Sequence, residues 1–281
     1  LLLKGEALAC MLYPEPHLRN RCDTDLLFSS REEAEHAWCV LQTLGYQRAG
    51  AMSGDLISYE LCCHKTGHGG LAHTLDLHWR WSNAALFAER FTFAELAASA
   101  VPIPALGPQA HGLSLVHALL LACVHRFVSL GGGMADRLIW LYDIHLLVQR
   151  LTDEPWQQFM ALAEERTLCG PCLDGLDSAR IWFGTSLSDA VLSRLRAGTD
   201  REGFDPRQLR PRWRYEWQTF RALPSTALRL RWLGQHLCPT ATYLRSQFNV
   251  RNPLWLPWFY GMRIVRGAGK LFHQSRTINS R

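Results

Sequence analysis

Apolar and polar residues alternate along the front of this chain, whereas behind it apolar residues recur every three to four positions. Leu71, His73, Leu75, Leu77 and Trp79 fall on one side of an extended run, and Ala72, Thr74, Asp76, His78 and Arg80 on the other. Strand side chains alternate with period two, so Leu71 to Trp81 predicts a strand. Apolar runs predict further strands at Leu1 to Leu3, from Asp23 through Leu27, and from Leu56 to Cys63. Lys4-Gly5 reads as a turn, Glu6 to Tyr13 as a short helix, and the next residues as a loop carrying Arg19 and Arg21. Ser30 and Glu33 have capping-box spacing, which predicts a helix from Arg31 to Leu44 stopped by Gly45. Lys65 to Gly70 is a hairpin loop by composition.

From Ala84 the helical spacing takes over. It predicts helices over Leu86–Ala98, Leu113–Leu130, Asp136–Leu151, Pro155–Arg166, Leu173–Phe183 and Ser186–Ala197. The Pro-rich connector Val101 to Gly112 is the expected domain boundary, giving units 1–100 and 101–281. Beyond residue 206, short helices alternate with loops around Pro211, Pro224, Pro239, Pro253 and Pro257. The pattern is that of an α+β protein: a small sheet domain with flanking helices, then a mainly helical C-terminal domain.

Composition narrows the class. With 48% hydrophobic and 20% charged residues, the 281-residue chain is a folded protein rather than a disordered one. No apolar run reaches the roughly 18 residues of a membrane span. The chain starts on Leu1 without a Met, so it is expected to be a fragment whose native N-terminus lies upstream. Nine cysteines form no regular framework, which suits reduced thiols in a cytoplasmic protein. Cys169-Gly170-Pro171-Cys172 has a redox-type spacing, but a helical pattern precedes it, and it reads as a helix–helix turn. Cys62, Cys63, His64, His68 and His73 lack the paired spacing of a zinc site.

Charge adds an asymmetry. Residues 207–281 hold 14 Lys+Arg and one acid, Glu216, a net +13, while residues 1–206 carry −8. The same segment holds five of the 11 Trp. It suits an anionic partner. Its Trp and Arg residues fit stacking on nucleic-acid bases, or a membrane surface. Alternatively, the Trp residues pack under the helical domain while the Arg residues cover the acidic front.

The chemistry concentrates at the front. Asp23 and Asp25, one residue apart on a strand, point to one face, and such a pair calls for a cation; Mg²⁺ or Mn²⁺ is the expected cofactor. The turn at Lys4-Gly5 before a helix can hold phosphate. Asp76, on a later strand, completes a set of three carboxylates if the two strands are neighbours, the arrangement needed for two-metal nucleotidyl transfer. Arg19 and Arg21 are either phosphate contacts or solvated loop charges. His78 shares the face of Asp76 and would orient substrate or an acid, or serve the structure alone. Asp143 and Arg137 lie six residues apart on different helix faces, so Asp143 is expected to meet a cation elsewhere in the fold or to support the nucleotide site.

With Lys4-Gly5, Tyr13-Pro14, Arg19, Asp23-Thr24-Asp25-Leu26-Leu27 and Asp76-Leu77-His78-Trp79, the front of the chain resembles the bacterial family named only as uncharacterised nucleotidyltransferases. It is similar at the same residues to the polymerase-β-type nucleotidyltransferase superfamily, and more distantly to nucleotidyltransferase toxins of abortive-infection systems. In those toxins a helix behind the active site carries a basic residue and a late Asp, as Arg137 to Asp143 would here. The resemblance implies a small nucleotidyltransferase-type mixed sheet and a reaction moving an NMP group from an NTP to a hydroxyl or phosphate acceptor. That acceptor would be a small molecule, a protein or RNA. Asp23, Asp25 and Asp76 would be catalytic metal ligands, and Lys4, Gly5, Arg19 and Arg21 would bind the nucleotide phosphates. The superfamily places a small or hydroxyl residue after the turn glycine, where this chain has Glu6. That departure suits either a catalytically degenerate binding protein or a turn in which Lys4 and the backbone carry the phosphates.

Overall fold

A computed structural model describes residues 1–48, 54–202, 212–223, 225–248, 250, 252–263 and 265. Leu2 bridges Leu26, so residues 1–3 line the edge of the sheet. Helix α1 (Glu6–Leu12) follows, then β1 (Thr24–Leu27), α2 (Arg31–Thr43), β2 (Gln47–Arg48), β3 (Glu60–Thr66) and β4 (Ala72–His78). The strands order as β1-β4-β3-β2, with β1 parallel to β4 and the other pairs antiparallel. The molecule is therefore α+β, with a small mixed sheet and a helical remainder.

The alternation in β4 sorts the two faces of the sheet. Leu61, Cys63, Leu77 and Trp79 pack with Ala34 of α2 in one apolar cluster. The opposite face carries Asp76 and His78 of β4, with Asp25 and Leu27 of β1 paired directly beside them. A sheet covered on both faces hides every second residue on each side, which is why Asp25 is 2% exposed.

Behind the sheet run α3 (Phe93–Ala98), the ribbon β5 (Val101–Pro102) with β6 (His111–Gly112), α4 (Leu115–Gly131), α5 (Leu138–Arg150), α6 (Asp153–Glu165), α7 (Cys169–Phe183) and α8 (Asp189–Glu202). Next come α9 (Arg212–Ala222), α10 (Thr226–Leu237) and α11 (Ala241–Phe248). Ten of the side chains on α4 are buried, in keeping with its almost unbroken apolar sequence. The largest apolar cluster joins Leu3, Leu8 and Leu27 at the front to Leu119, Ile144 and Leu176 of the helices. The Pro-rich connector is tied to the front as well, since Gly112 bridges Leu2 and the Leu2 N–H donates to the His111 carbonyl at 2.8 Å.

Several elements differ from the sequence expectation. The helix expected over Leu86–Ala98 is formed only from Phe93, because Ala84 to Arg90 is a chain of turns and Thr92 and Glu95 build a capping box that starts α3. The strand expected from Leu56 begins at Glu60, because Ile57 and Ser58 turn back onto the Gly54 carbonyl. Cys169-Gly170-Pro171-Cys172 is the first turn of α7 rather than a turn between helices. Its free N–H groups at Cys169 and Gly170 donate to Glu202, 32 residues further on, a cap that no local pattern announces. All nine cysteines are free. Of the tail tryptophans, Trp232 is buried, but Trp213, Trp217, Trp255 and Trp258 are 42–66% exposed, so burial accounts for one of the five. The loops expected at Pro211 and Pro224, and the end of the tail from residue 266, lie outside the described residues.

Candidate metal and nucleotide site

Parallel pairing of β1 with β4 sets Asp25 directly against Asp76 and Leu27 against His78. Residues in register on neighbouring strands share a face, and His78 follows Asp76 by two, so all three polar side chains converge. Asp25, Asp76 and His78 each offer a ligand atom within 4.8 Å of the others, and among the described residues this is the one trio with metal-binding spacing.

The electrostatics of the trio are lopsided. Lys4 Nζ lies 3.1 Å and His78 Nε2 2.9 Å from the same oxygen of Asp25, Oδ1. Burial alone would push the Asp25 carboxyl up, but Lys4 and His78 outweigh it and hold it well below the usual carboxylate range. The other oxygen, Asp25 Oδ2, is buried without a partner, and so is Asp76 Oδ1. Burial and the charge of Asp25 raise Asp23, and Lys4 pulls it the other way. Two bare carboxylate oxygens in a buried site are costly unless something satisfies them. A divalent cation does so, and the two carboxylates are ligands of the type Mg²⁺ and Mn²⁺ prefer. The donor set therefore fits the expected metal, with imidazole as an additional ligand type.

The phosphate-binding expectation meets a more complicated geometry. Gly5 caps α1 at φ 39°, where a side chain would be strained, and Lys4 faces Asp25. Arg21 is ion-paired with Glu6, the residue that departs from the superfamily pattern. Arg19 is 7% exposed and bound by Asp143: Nε donates to Oδ1 at 2.9 Å and Nη2 to Oδ2 at 2.5 Å. Tyr13 also donates to Asp143, at 2.8 Å. The third nitrogen of Arg19, Nη1, lies 3.7 Å from where a Cβ on Gly5 would be. Asp143 thus meets its cation across 124 residues of sequence and fixes Arg19 against the turn. Arg137 does not join it; that residue precedes α5 and stacks over Trp140.

Sequence reasoning passed over Glu60. It pairs with His78 across β3 and β4, and its carboxylate stands 3.4 Å from His78 Nδ1, without hydrogen-bond geometry. Burial raises its carboxyl, with the charge of His78 acting the other way. The signal was available, since Glu60 and Cys62 alternate with Leu61 and Cys63 in a run already read as a strand. Beside Lys4, Glu60, Asp76 and His78 opens a cavity of about 440 Å³, lined also by Tyr215 and Thr219 of α9 and Trp232 of α10.

A family model described as uncharacterised nucleotidyltransferase matches residues 1–184, well over half of the chain. The chain belongs to that family. No curated protein matches it. The nucleotidyltransferase match takes in the sheet, the carboxylates, Arg19 and Asp143, and ends at Gly184, the residue that caps α7. Helices α9 and α10, which help line the cavity, lie beyond it.

Proposed function

We propose that this chain is a divalent-metal-dependent nucleotidyltransferase that moves an NMP group from an NTP to an acceptor hydroxyl and releases pyrophosphate. The observation that carries the reading is the pair of buried, unpartnered oxygens on Asp25 and Asp76, in register on adjacent parallel strands. Asp25 and Asp76 would hold the metal, with Asp23 at its margin and His78 keeping Asp25 oriented. When bound, the ion neutralises phosphate charge and makes the acceptor hydroxyl more acidic. Asp76 is the group suited to take the hydroxyl proton as the acceptor oxygen bonds to the α-phosphorus and the bond to the β-phosphate oxygen breaks. Gly5 allows the backbone to approach the phosphates, and Arg19, held by Asp143, presents Nη1 toward that turn.

Calorimetry with Mg²⁺ and each NTP, followed by transfer of labelled nucleotide, tests the reading. Supplying a small hydroxyl compound, a protein and tRNA separately reads out the acceptor class, including action on tRNA of the toxin kind. Binding and pyrophosphate release that survive Asp25→Asn with Asp76→Asn would remove the site assignment.

A second reading has its own support. Each cation expected at the phosphates already meets an acid: Lys4 on Asp25, Arg21 on Glu6, Arg19 on Asp143. A nucleotidyltransferase fold retained for binding would keep such pairs closed. It predicts NTP binding without pyrophosphate release from any acceptor, and Glu6→Ser would then raise NTP affinity by freeing Arg21.

A further inference from the structure

The tail beyond the family match has two sides. On α10, Trp232 turns inward, and Gln235 bonds Asp55 and the Leu56 N–H, fastening the helix to the front of the molecule. On its other side Leu230, Leu233 and Leu237 are 65%, 37% and 52% exposed. Spacings of three and four residues make them one continuous stripe. On α9, Thr219 is buried while Trp213 and Trp217, one turn apart, face out. Further along, Leu254, Trp255 and Trp258 are 84%, 60% and 66% exposed. Scattered surface leucines need no explanation, but aligned ones in a segment with four exposed tryptophans do.

Charge selects the occupant. These apolar groups sit in the segment of net +13, whose one acid, Glu216, stands 3.5 Å from His236. A second copy of the same face would bring like charges together. Single-stranded RNA matches the charge and stacks on tryptophan, but offers nothing to a stripe of leucines. An anionic bilayer surface matches all three features: basic groups meet headgroups, tryptophans sit at the interface, and leucines enter the acyl boundary.

We infer that α9, α10 and the Leu254–Trp258 stretch form a peripheral docking surface for anionic lipid bilayers. The same two helices line the cavity beside the carboxylates through other residues, among them Tyr215, Thr219 and Trp232. The inference does not depend on the nucleotidyl-transfer reading.

The test is co-sedimentation of the full chain with vesicles of phosphatidylcholine alone, and of phosphatidylcholine with phosphatidylglycerol, at low and high salt. The expected result is binding to the anionic vesicles, weakened by salt, with a blue shift of tryptophan emission. Trp255→Ser with Trp258→Ser, and separately Leu230→Ser with Leu233→Ser, should each lower the partition roughly tenfold while circular dichroism stays unchanged. No partition into anionic vesicles at low salt would overturn the proposal. So would binding that both double variants leave intact. Tight binding of tRNA with no vesicle binding would assign the surface to RNA instead.

Discussion

Two kinds of buried charge cluster in this molecule have opposite characters. In the helical part, Arg126 is 3% exposed and its guanidinium is matched on both sides: Nε and Nη2 donate to Asp136, and Nη1 donates to Asp174. In the Arg19–Asp143–Tyr13 group it is the carboxylate that is matched on both oxygens, by Nε and Nη2 of Arg19 and the Tyr13 hydroxyl. At the sheet, Asp25 receives Lys4 and His78 on one oxygen and nothing on the other, and Asp76 keeps a bare buried oxygen beside it. A satisfied cluster holds structure together. An unsatisfied one carries a standing cost that a ligand can relieve, so functional sites are found among such clusters.

The sharpest way to break this contrast is to neutralise one carboxylate from each kind. Asp76→Asn should lower nucleotidyl transfer about a thousandfold, measured as pyrophosphate release. Its unfolding free energy should stay within about 0.5 kcal/mol of the parent or rise, since a repulsive charge has gone. Asp143→Ala should do the reverse to stability, costing about 3–5 kcal/mol in denaturant melts because Arg19 is left buried and uncompensated. Replacing both, Arg19→Leu with Asp143→Leu, should recover most of that loss while transfer stays impaired. If Asp76→Asn proved as destabilising as Asp143→Ala, the two clusters would be alike and the contrast would fail.

A smaller effect sharpens the same contrast. Mg²⁺ or Mn²⁺ at about a hundred times its dissociation constant should stabilise the parent by about 2.7 kcal/mol, read as a rise in Tm. Asp76→Asn should abolish the rise, and Asp136→Asn, in the closed cluster, should leave it intact. A rise that persists in Asp76→Asn would place the ion elsewhere.

The face shared by Asp76 and His78 could be read from alternation alone, because a period-two pattern carries its own geometry. The neighbour relation of β1 and β4 was a condition in that reading, and the register Asp25 with Asp76 meets it. Pairings made across long sequence separations could not be read. Asp143 has no local partner, and its Arg19 lies 124 residues away. Likewise, nothing around Cys169 announces that Glu202 starts its helix. The trio that converges is Asp25, Asp76 and His78, with Asp23 outside it: the strand and its register with β4 begin at Thr24, one residue after Asp23. Exposure of the tail tryptophans was equally hidden, since spacing locates a stripe without saying whether anything covers it.

The most gradual effect concerns His125 on α4, which lines the cavity and meets Trp140 edge-on at 5.1 Å. Burial pushes its imidazole down to about 3 from an ordinary 6.5, reinforced by the positive charge of Lys4, with Asp25 opposing. Below pH 6.5 the unfolded chain takes a proton that the folded chain refuses. Stability should therefore fall as the pH drops from 6.5, by about 1.4 kcal/mol per pH unit, and level off near 3. Asp25 acts in the same direction but in a lower window, because its depressed carboxyl gives up stability only below the unfolded carboxylate range near 4. Between pH 7 and pH 5, His117, which burial also lowers, adds to the slope, so it is the difference between parent and His125→Gln denaturant melts that isolates His125. His125→Gln should flatten the slope in that window while Asp76→Asn leaves it in place. An unchanged slope in His125→Gln would mean that water already reaches the imidazole, and that the cavity beside the carboxylates is wet in the free protein.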